Sequence, residues 1–249
     1  MEKEYEKLYH QYERTHFWFK ARRKYILNYL KKKYINKNEP LILDIGCSSG
    51  ILLHELAECG FDKNNLYGVD ISSTAVENCI ENGLRNVYVM DAQQIELPQQ
   101  FDVIISSDCL EHLENDEMAI QNWYQLLKND GILIVFVPAF MFLWSNHDVV
   151  NRHFRRYTKK ELKEKLTKPG FEIQKASYWN FFLFFPLALF SFVSKLVRRK
   201  GSNGNQNNLQ KMNFFNTGLF LLLNFENCLL KFMKFPVGIS VFGVVKKSN

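Results

Sequence analysis

The stretch that decides the fold is Leu41-Ile-Leu-Asp44-Ile-Gly46-Cys47-Ser48-Ser-Gly50. Leu41 to Ile45 is a short apolar run, as in a strand that is covered on both faces. The two glycines permit a tight turn, and the residues from about Ile51 to Cys59 then read as a helix. The free amide groups at the start of that helix, with the positive end of its dipole, face whatever binds there. The stretch therefore predicts a strand, a ligand-binding turn and a helix.

Strand and helix alternate regularly after this turn. Helices are predicted to about Asn82 and from about Glu117 to Lys128, where Asn129-Asp-Gly131 stops the second one. Alternation at this spacing predicts a doubly wound, mostly parallel sheet. The further predicted strands are Leu66 to Val69, Val87 to Met90, Phe101 to Ser106, Ile132 to Val137, Phe171 to Ser177 and Gly238 to Val245.

Three acids follow the first three strands, and they define the kind of ligand. The turn lacks the Gly-Lys-Ser/Thr ending of a phosphate-binding P-loop, and Ser48 and Ile51 occupy two glycine positions of the dinucleotide fingerprint. Asp44 can face a cationic ligand, Asp70 can accept both hydroxyls of a ribose, and Asp91 lies where an adenine would reach. A structural alternative is that these acids only cap helices or form turns.

In this combination the sequence resembles the class I S-adenosyl-L-methionine-dependent methyltransferases, over roughly Pro40 to Leu166 plus the last strand. The resemblance implies a seven-stranded Rossmann-like sheet with an antiparallel last strand. Ser48 is a departure, because the family more often has glycine there. The cofactor-binding residues that the resemblance implies are Asp44, Gly46, Cys47, Ser48, Gly50, Asp70, Ile71, Asp91, Ala92 and Ser107.

Candidate groups for the reaction follow the fourth and fifth strands. Glu111 and His112 come after the fourth strand, and His112 could hydrogen-bond the substrate or simply cap the next helix. After the fifth strand, a His–Asp pair could supply a base, and arginines suit a phosphate or carboxylate. The catalytic candidates are His112, His147, Asp148, His153 and Tyr157, and the substrate-binding candidates are Trp144, Arg155 and Arg156.

The alternative for the loop after the fifth strand is that its own Arg–Asp pairs and the tyrosine merely hold it together. The loop resembles a subgroup of these methyltransferases with a WS-x-HD…H-x-RRYT segment and an N-terminal aromatic-basic segment, here His16-Phe-Trp-Phe-Lys-Ala-Arg22-Arg23. Such enzymes are often associated with glycan, lipid or quinone pathways. No metal is expected, because the cysteines and histidines show no metal-like spacing.

The chain divides into three predicted parts. Residues 1–39 form an N-terminal helical lid, residues 40–177 with 236–249 form the methyltransferase domain, and residues 178–235 form an apolar helical insertion. The insertion holds two apolar stretches, Phe181 to Val197 and Phe214 to Phe235, around a polar loop from Arg198 to Asn208. Both stretches are poor bilayer spans, because they are short or carry charges. Contact with the membrane interface is therefore predicted, with true spans, a cap over the substrate or a dimer face as alternatives.

Composition favours a basic, folded protein in a reducing compartment. The 249 residues include 22 Phe and 5 Cys, and the formal net charge is +6. The cysteines form no CxxC pair, so a cytoplasmic location at the cytosolic face of the membrane is expected. Nucleic acid is not an expected partner, because the Phe residues form apolar runs and do not alternate with Arg and Lys.

The predicted activity is methyl transfer, by in-line displacement, to a small acceptor that is hydrophobic or linked to a lipid or glycan. Two alternatives stay open: a methyltransferase for a soluble metabolite, and a non-catalytic nucleotide-binding partner protein. The oligomeric state cannot be read from the sequence.

Overall fold

The computed structural model describes residues 12–34, 39–198 and 216–248. Residues 12–15 are helical, and the chain then forms eight named helices and seven strands in the described part. The helices are α1 (Phe17–Tyr34), α2 (Ile51–Glu58), α3 (Ser73–Glu81), α4 (Asp116–Leu126), α5 (Asn146–Val150), α6 (Lys159–Thr167), α7 (Phe181–Arg198) and α8 (Asn216–Leu229). The strands are β1 (Ile42–Ile45), β2 (Leu66–Asp70), β3 (Asn86–Val89), β4 (Phe101–Ser107), β5 (Leu127–Pro138), β6 (Phe171–Trp179) and β7 (Ser240–Lys247).

The seven strands form one sheet in the order β3-β2-β1-β4-β5-β7-β6. Strands β1 to β5 pair in parallel, whereas β7 is antiparallel to both β5 and β6. This confirms the predicted mostly parallel sheet with an antiparallel last strand. The strand order reverses between β1 and β4, and open α/β sheets bind ligands outside the carboxyl ends of the strands at such a point.

The central strands are buried as their sequences predict. In β5 every side chain from Ile132 to Val137 is fully buried, as are Val103, Ile104 and Ile105 of β4. A run that is apolar at every position suits a strand covered by helices on both faces. The core therefore lies on both sides of β1, β4 and β5, directly behind the edge that carries the three acids.

Several predicted boundaries differ from the structure. Strand β5 begins at Leu127, before the predicted Ile132, and β6 runs to Trp179, beyond the predicted Ser177. The helix predicted to reach Lys128 ends at Leu126, because Leu127 already pairs with Phe101 in the sheet. The last strand begins at Ser240 and runs to Lys247, two residues later than predicted at each end. The predicted N-terminal helical lid, residues 1–39, is interrupted at His16. Residues 1–11 and 35–38 of that prediction lie outside the described residues.

The N-terminal helix and the insertion pack against each other. The Asn227 side chain on α8 donates to the Ala21 carbonyl of α1 at 2.9 Å and accepts from the indole N–H of Trp179 at 2.8 Å. At the other end of α8, the Asn216 side chain accepts from the Phe17 amide at 2.7 Å. Buried amide side chains that bond to backbone fix how two elements meet. The predicted lid and the predicted insertion are therefore joined in the fold.

The insertion begins at a backbone reversal. Asn180 has φ of 61°, and the buried Glu226 carboxylate accepts from the Phe182 amide at 3.4 Å, at the start of α7. No helix within the described ranges is long and apolar enough to cross a bilayer. The polar loop predicted within 198–208 lies outside the described residues, apart from Arg198 at the end of α7.

Candidate active site

The turn after β1 has a left-handed backbone at three positions. Gly46, Ser48 and Gly50 have φ of 74°, 49° and 71°. A Cβ at Gly50 would lie 2.5 Å from a methyl carbon of Leu84, so that only glycine fits there without movement. Ser48 accepts the left-handed conformation at a modest energetic cost. Its presence, where the resembled family more often has glycine, is thus compatible with the turn.

The three predicted acids lie along one edge of the sheet. Asp44 and Asp70 belong to the ends of β1 and β2, and Asp91 follows β3, which is next in the sheet. The Asp70 carboxylate accepts from the Ser48 amide and the Ser72 amide, each at 2.9 Å. Asp44 is buried, whereas Asp91 is exposed and accepts from the Gln93 amide at 2.8 Å. Asp70 therefore fixes the turn, and the three acids lie at the carboxyl ends of three neighbouring strands.

A fourth acid, Glu13, joins this edge from the N-terminal segment. Its carboxylate accepts from the Ser48 hydroxyl at 2.8 Å. Burial raises the pKa of Glu13 to about 7. Burial, followed by repulsion from Glu13 and Asp70, raises the pKa of Asp44 to about 8. Raised pKa values on these adjacent acids mean that the folded protein favours their neutral forms, and a cation bound beside them would favour ionisation. Such a site favours a cationic ligand.

Sequence reasoning missed Glu13. The N-terminal segment was predicted to be a lid, but no local pattern around Glu13 separates it from the other acids near the N-terminus. Only the position of the segment beside the turn brings this carboxylate to the site.

The other predicted cofactor-binding residues lie around the same edge in different environments. The amides of Gly46 and Cys47 donate to the Val69 carbonyl at 2.8 and 3.1 Å and are therefore engaged within the protein. Ile71 is 73% exposed beside the end of β2 and can contact a planar ring. The Ala92 carbonyl accepts from the Trp123 indole at 2.8 Å.

The remaining predicted residue, Ser107, meets the N-terminal helix. Its hydroxyl accepts from the Arg22 guanidinium at 3.2 Å, and Arg22 also forms an ion pair with Asp108. The guanidinium is buried near the rings of Trp18 and Trp179, 5.7 and 5.2 Å from their centroids. Arg22 therefore ties α1 to the carboxyl end of β4.

The loop between β5 and α6 is organised around Asp148. This fully buried carboxylate accepts from Nδ1 of His153 at 3.0 Å, from two Arg156 nitrogens at 2.7 and 2.9 Å and from the Ser145 amide at 2.8 Å. Burial alone would raise the pKa of Asp148, but the bonds from His153 and Arg156 outweigh it and hold the pKa well below its usual range. His147 is exposed and contacts Asn151. The His–Asp pair of this loop is therefore His153–Asp148.

Asp116 is the centre of a second group of polar contacts, which includes Tyr157 and Arg155. The Tyr157 hydroxyl is buried and donates to Asp116 at 2.8 Å, and Arg155 and Lys165 reach the other Asp116 oxygen at 2.9 Å. Burial, followed by the negative charge of Asp116, raises the pKa of Tyr157 far above its ordinary value. A tyrosine hydroxyl that holds its proton this tightly is poorly suited to act as a catalytic acid or base.

These contacts bear on the predicted roles of three residues, which stay predictions. Arg155 and Arg156 form ion pairs with internal acids, and Tyr157 donates to Asp116. The contacts suit the alternative in which the loop is held by its own ion pairs and tyrosine. Trp144 is half-buried just after the turn Met141–Leu143.

Two candidate histidines nevertheless come together at the end of β4. The rings of His112 and His153 are perpendicular, with centroids 4.5 Å apart. One ligand atom from each of Glu111, His112 and His153 lies within 4.8 Å of the other two. The amide of Phe154 donates to the Glu111 carbonyl at 2.8 Å and holds the loop against this segment. This group, the histidine cluster, faces solvent through His112.

Comparisons with known proteins identify the family of the chain. The model of a family described as a methyltransferase domain matches residues 10–176. A ubiquinone biosynthesis O-methyltransferase of Rickettsia canadensis is 26% identical over 174 residues, which are 62% of this chain and 72% of the relative. A malonyl-[acyl-carrier protein] O-methyltransferase of Bacillus cereus is 30% identical over 113 residues, which are 44% of this chain and 41% of the relative. The chain therefore spans less than half the length of that curated relative.

A solved structure shares the fold over the whole chain. The plantazolicin methyltransferase in complex with SAH superposes with a TM-score of 0.62 at 14% identity, and the match covers 100% of this chain and 91% of the other.

Proposed function

Since the chain belongs to this methyltransferase family, and is a class I S-adenosylmethionine-dependent enzyme, we propose that it methylates an oxygen atom of a small hydrophobic acceptor taken from a lipid surface. Oxygen is proposed because the relatives above are named O-methyltransferases. The observation that carries the proposal is an exposed apolar surface beside the loop that carries His153.

The acid-lined edge fits the cofactor of the family. Glu13, Asp44 and Asp70 lie around the turn, where a ligand that carries a sulfonium and an ammonium group would favour their ionised forms and pair with them. Each Asp70 oxygen accepts one amide and has a second lone pair for a ribose hydroxyl. Ile71 and Asp91 are exposed where the adenine is expected. When bound, S-adenosylmethionine supplies a methyl carbon that a nucleophile attacks in line with the sulfur.

The apolar surface is formed by α7, α8 and the segment that follows α8. Ten large apolar side chains are between 44% and 89% exposed there. Single exposed apolar residues are ordinary, but a contiguous patch of this kind marks an interaction site. Burying one exposed Phe or Leu is worth up to about 1.5–3 kcal/mol. The members are Phe185, Leu187, Leu189, Phe190, Phe192, Val193, Leu221, Phe225, Phe232 and Met233.

A lipid bilayer is the partner that suits this surface. Exposed lysines accompany it: Lys20 and Lys24 lie 5.0 and 5.4 Å from the ring centroid of Phe220 on α8, and Lys231 and Lys234 flank Phe232 in sequence. Apolar side chains with adjacent lysines are typical of helices that lie in the interface of a membrane with anionic lipids. The formal net charge of +6 has the same sign.

The apolar surface continues towards the reacting end. The ring of Phe184 on α7 lies 5.8 Å from that of Phe140 and 6.2 Å from that of Phe142, which is 53% exposed. Phe140 lies near the start of the loop after β5, and the same loop carries His153. An acceptor that leaves the lipid along these rings would bring its oxygen towards His112 and His153, where Asp148 fixes the orientation of His153.

The cofactor half of the proposal is tested by titration calorimetry. Wild-type protein is expected to bind S-adenosylmethionine, and Asp70→Ala is expected to weaken binding at least about tenfold, because it removes a charge-assisted acceptor and a turn anchor. Binding that is indifferent to Asp70→Ala would contradict the assignment.

The lipid half is tested by sedimentation with phosphatidylcholine vesicles, with and without phosphatidylglycerol. We expect binding that strengthens with the anionic lipid and falls with Phe190→Ser plus Phe192→Ser. The matched control is Ile80→Ser, which removes another exposed apolar side chain, on α3. Equal losses for the two variants, or a protein that stays in solution and dimerises through this surface, would refute the lipid partner.

A further inference from the structure

We infer that Glu111, His112 and His153 form a binding site for one divalent transition-metal ion. No sequence pattern indicates this site, because the residues are up to 42 positions apart and follow no metal-ligand spacing. The fold brings them together, since the loop after β5 folds back against the 3-10 turn Leu110–His112 that follows β4.

The first observation is the convergence of ligand atoms. One oxygen of Glu111 and one nitrogen of each histidine all lie within 4.8 Å of one another. In a zinc site, ligand bonds of about 2.1 Å place the ligand atoms roughly 3–3.5 Å apart. The remaining gap is within the range that a change of side-chain rotamer at the exposed His112 spans.

The second observation is the state of Glu111. Its side chain is 1% exposed, and neither carboxylate oxygen has a hydrogen-bond partner from another residue in the described part of the chain. A buried carboxylate without partners is costly. A divalent cation at the cluster would supply the charge that Glu111 lacks.

The third observation is the orientation of His153. Its Nδ1 is bonded to Asp148 at 3.0 Å, which leaves Nε2 as the nitrogen available to a metal. A carboxylate behind a histidine is a common arrangement at metal sites, because it fixes the tautomer and makes the other nitrogen a better ligand. Arg156 and Ser145 in turn hold Asp148, so the histidine is pre-oriented.

The ligand set indicates the class of ion. Two imidazoles and one carboxylate suit zinc, manganese, iron or cobalt better than the all-oxygen ions calcium and magnesium. The cluster offers three protein ligands and opens to solvent through His112, which leaves a position for an oxygen ligand. That position lies where the acceptor oxygen is proposed, so the ion's role in the reaction rests on the proposed function, whereas its binding does not.

A His–Asp base without metal is the competing interpretation. It explains the His153–Asp148 pair, but it assigns nothing to the buried Glu111 carboxylate or to its convergence with His112. Direct metal binding separates the two interpretations without recourse to activity.

The experiment uses the full chain after treatment with a chelator. Cobalt(II) is added, and its visible absorption and the heat of binding are recorded, with zinc(II) as competitor. We expect one saturable site per chain, and a dissociation constant at least about tenfold weaker in Glu111→Gln and in His112→Ala. His54→Ala on α2 is the matched control and is expected to bind as wild type does.

His112→Ala keeps the test decisive if Glu111→Gln fails to fold, because His112 is exposed. No saturable site, or a site that His54→Ala weakens as much as His112→Ala does, would overturn the inference. If the chain binds the cofactor and the vesicles but no cobalt, only the proposed metal site is refuted. If it binds cobalt but no vesicles, the lipid-derived acceptor is refuted and the metal site stands.

Discussion

Replacing Asp44 with asparagine should stabilise the protein and impair its cofactor site at once. Asp44 is 4% exposed at the end of β1, and burial together with Glu13 and Asp70 raises its pKa to about 8. In the unfolded chain its pKa is the ordinary 3.8. A group whose pKa is raised by folding contributes stability that is complete below the unfolded value and is lost as the pH rises towards the folded value.

The magnitude follows from these two values. At about pH 7 the unfolded aspartate lies roughly three pK units above its pKa and is ionised, whereas the folded one is mostly protonated, so folding costs about 4 kcal/mol at most. Asparagine has nearly the same shape and avoids this cost. We expect the free energy of unfolding of Asp44→Asn to exceed that of wild type by about 1–4 kcal/mol at neutral pH. The gain should shrink towards about pH 4, where the unfolded aspartate is also largely protonated.

Urea unfolding at neutral and acidic pH measures this difference. Asp91→Asn is the matched control, since Asp91 is an exposed acid at the same edge and should give no such gain. A gain for Asp44→Asn that does not vary with pH, or a loss of stability at neutral pH, would refute the reasoning.

The ionisation of Asp44 should also make cofactor binding depend on pH. A cation bound beside Asp44 favours its ionised form, so binding releases protons and strengthens as the pH rises towards the pKa of about 8. Calorimetry in two buffers with different ionisation enthalpies measures the released protons. Asp44→Asn should bind more weakly and release fewer protons, and equal release from both proteins would contradict the proposed role of Asp44.

The remaining predictions concern residues that shape the site without contacting the acceptor. Gly50→Ala should lower the free energy of unfolding by about 2 kcal/mol or more, because the added methyl strains a left-handed position, and a normal melting temperature would contradict this. Arg156→Lys should cost about 1–3 kcal/mol, because lysine cannot replace the two-nitrogen contact with Asp148, while cofactor affinity measured by calorimetry stays unchanged. Tyr157→Phe should cost about 1 kcal/mol through its lost hydrogen bond and keep its turnover, whereas a collapse in turnover would restore a catalytic role.

The fold could be predicted because its signals are local. Each parallel strand is a short apolar run, and a glycine or a capping residue marks the ends of most strands and helices. Each segment can therefore be recognised from its own residues. Ser72 caps α3 and Thr158 caps α6, as their sequence positions indicate. Each hydroxyl accepts a 3.2 Å hydrogen bond from a backbone amide of its helix. The misplaced end at Leu126 has a physical reason as well: the pairing of Leu127 with Phe101 is a tertiary contact and overrides the helical pattern that continues to Lys128.

The candidate site divides in the same way. The acids of β1 and β2 were predictable, because the carboxyl ends of neighbouring parallel strands must share an edge. The partners of Asp148 were not, since His147 and His153 are both within five residues of it and only the loop's path selects His153. The arginines illustrate the limit further, because a sequence cannot tell a guanidinium that waits for an anion from one already paired with Asp148 or Asp116.

The serine at position 48 links the N-terminal segment to the charge of the cofactor site. Glycine at this position would suit the backbone better, but it could not donate the 2.8 Å hydrogen bond that Ser48 makes to Glu13. Asp70, which accepts from the Ser48 amide, also helps to raise the pKa of Glu13. Because these carboxylates repel one another, any cation that neutralises Asp44 and Asp70 also favours the ionised form of Glu13 and strengthens its bond to Ser48. The departure from glycine thus links the contact between Glu13 and the turn to the charge state of the site.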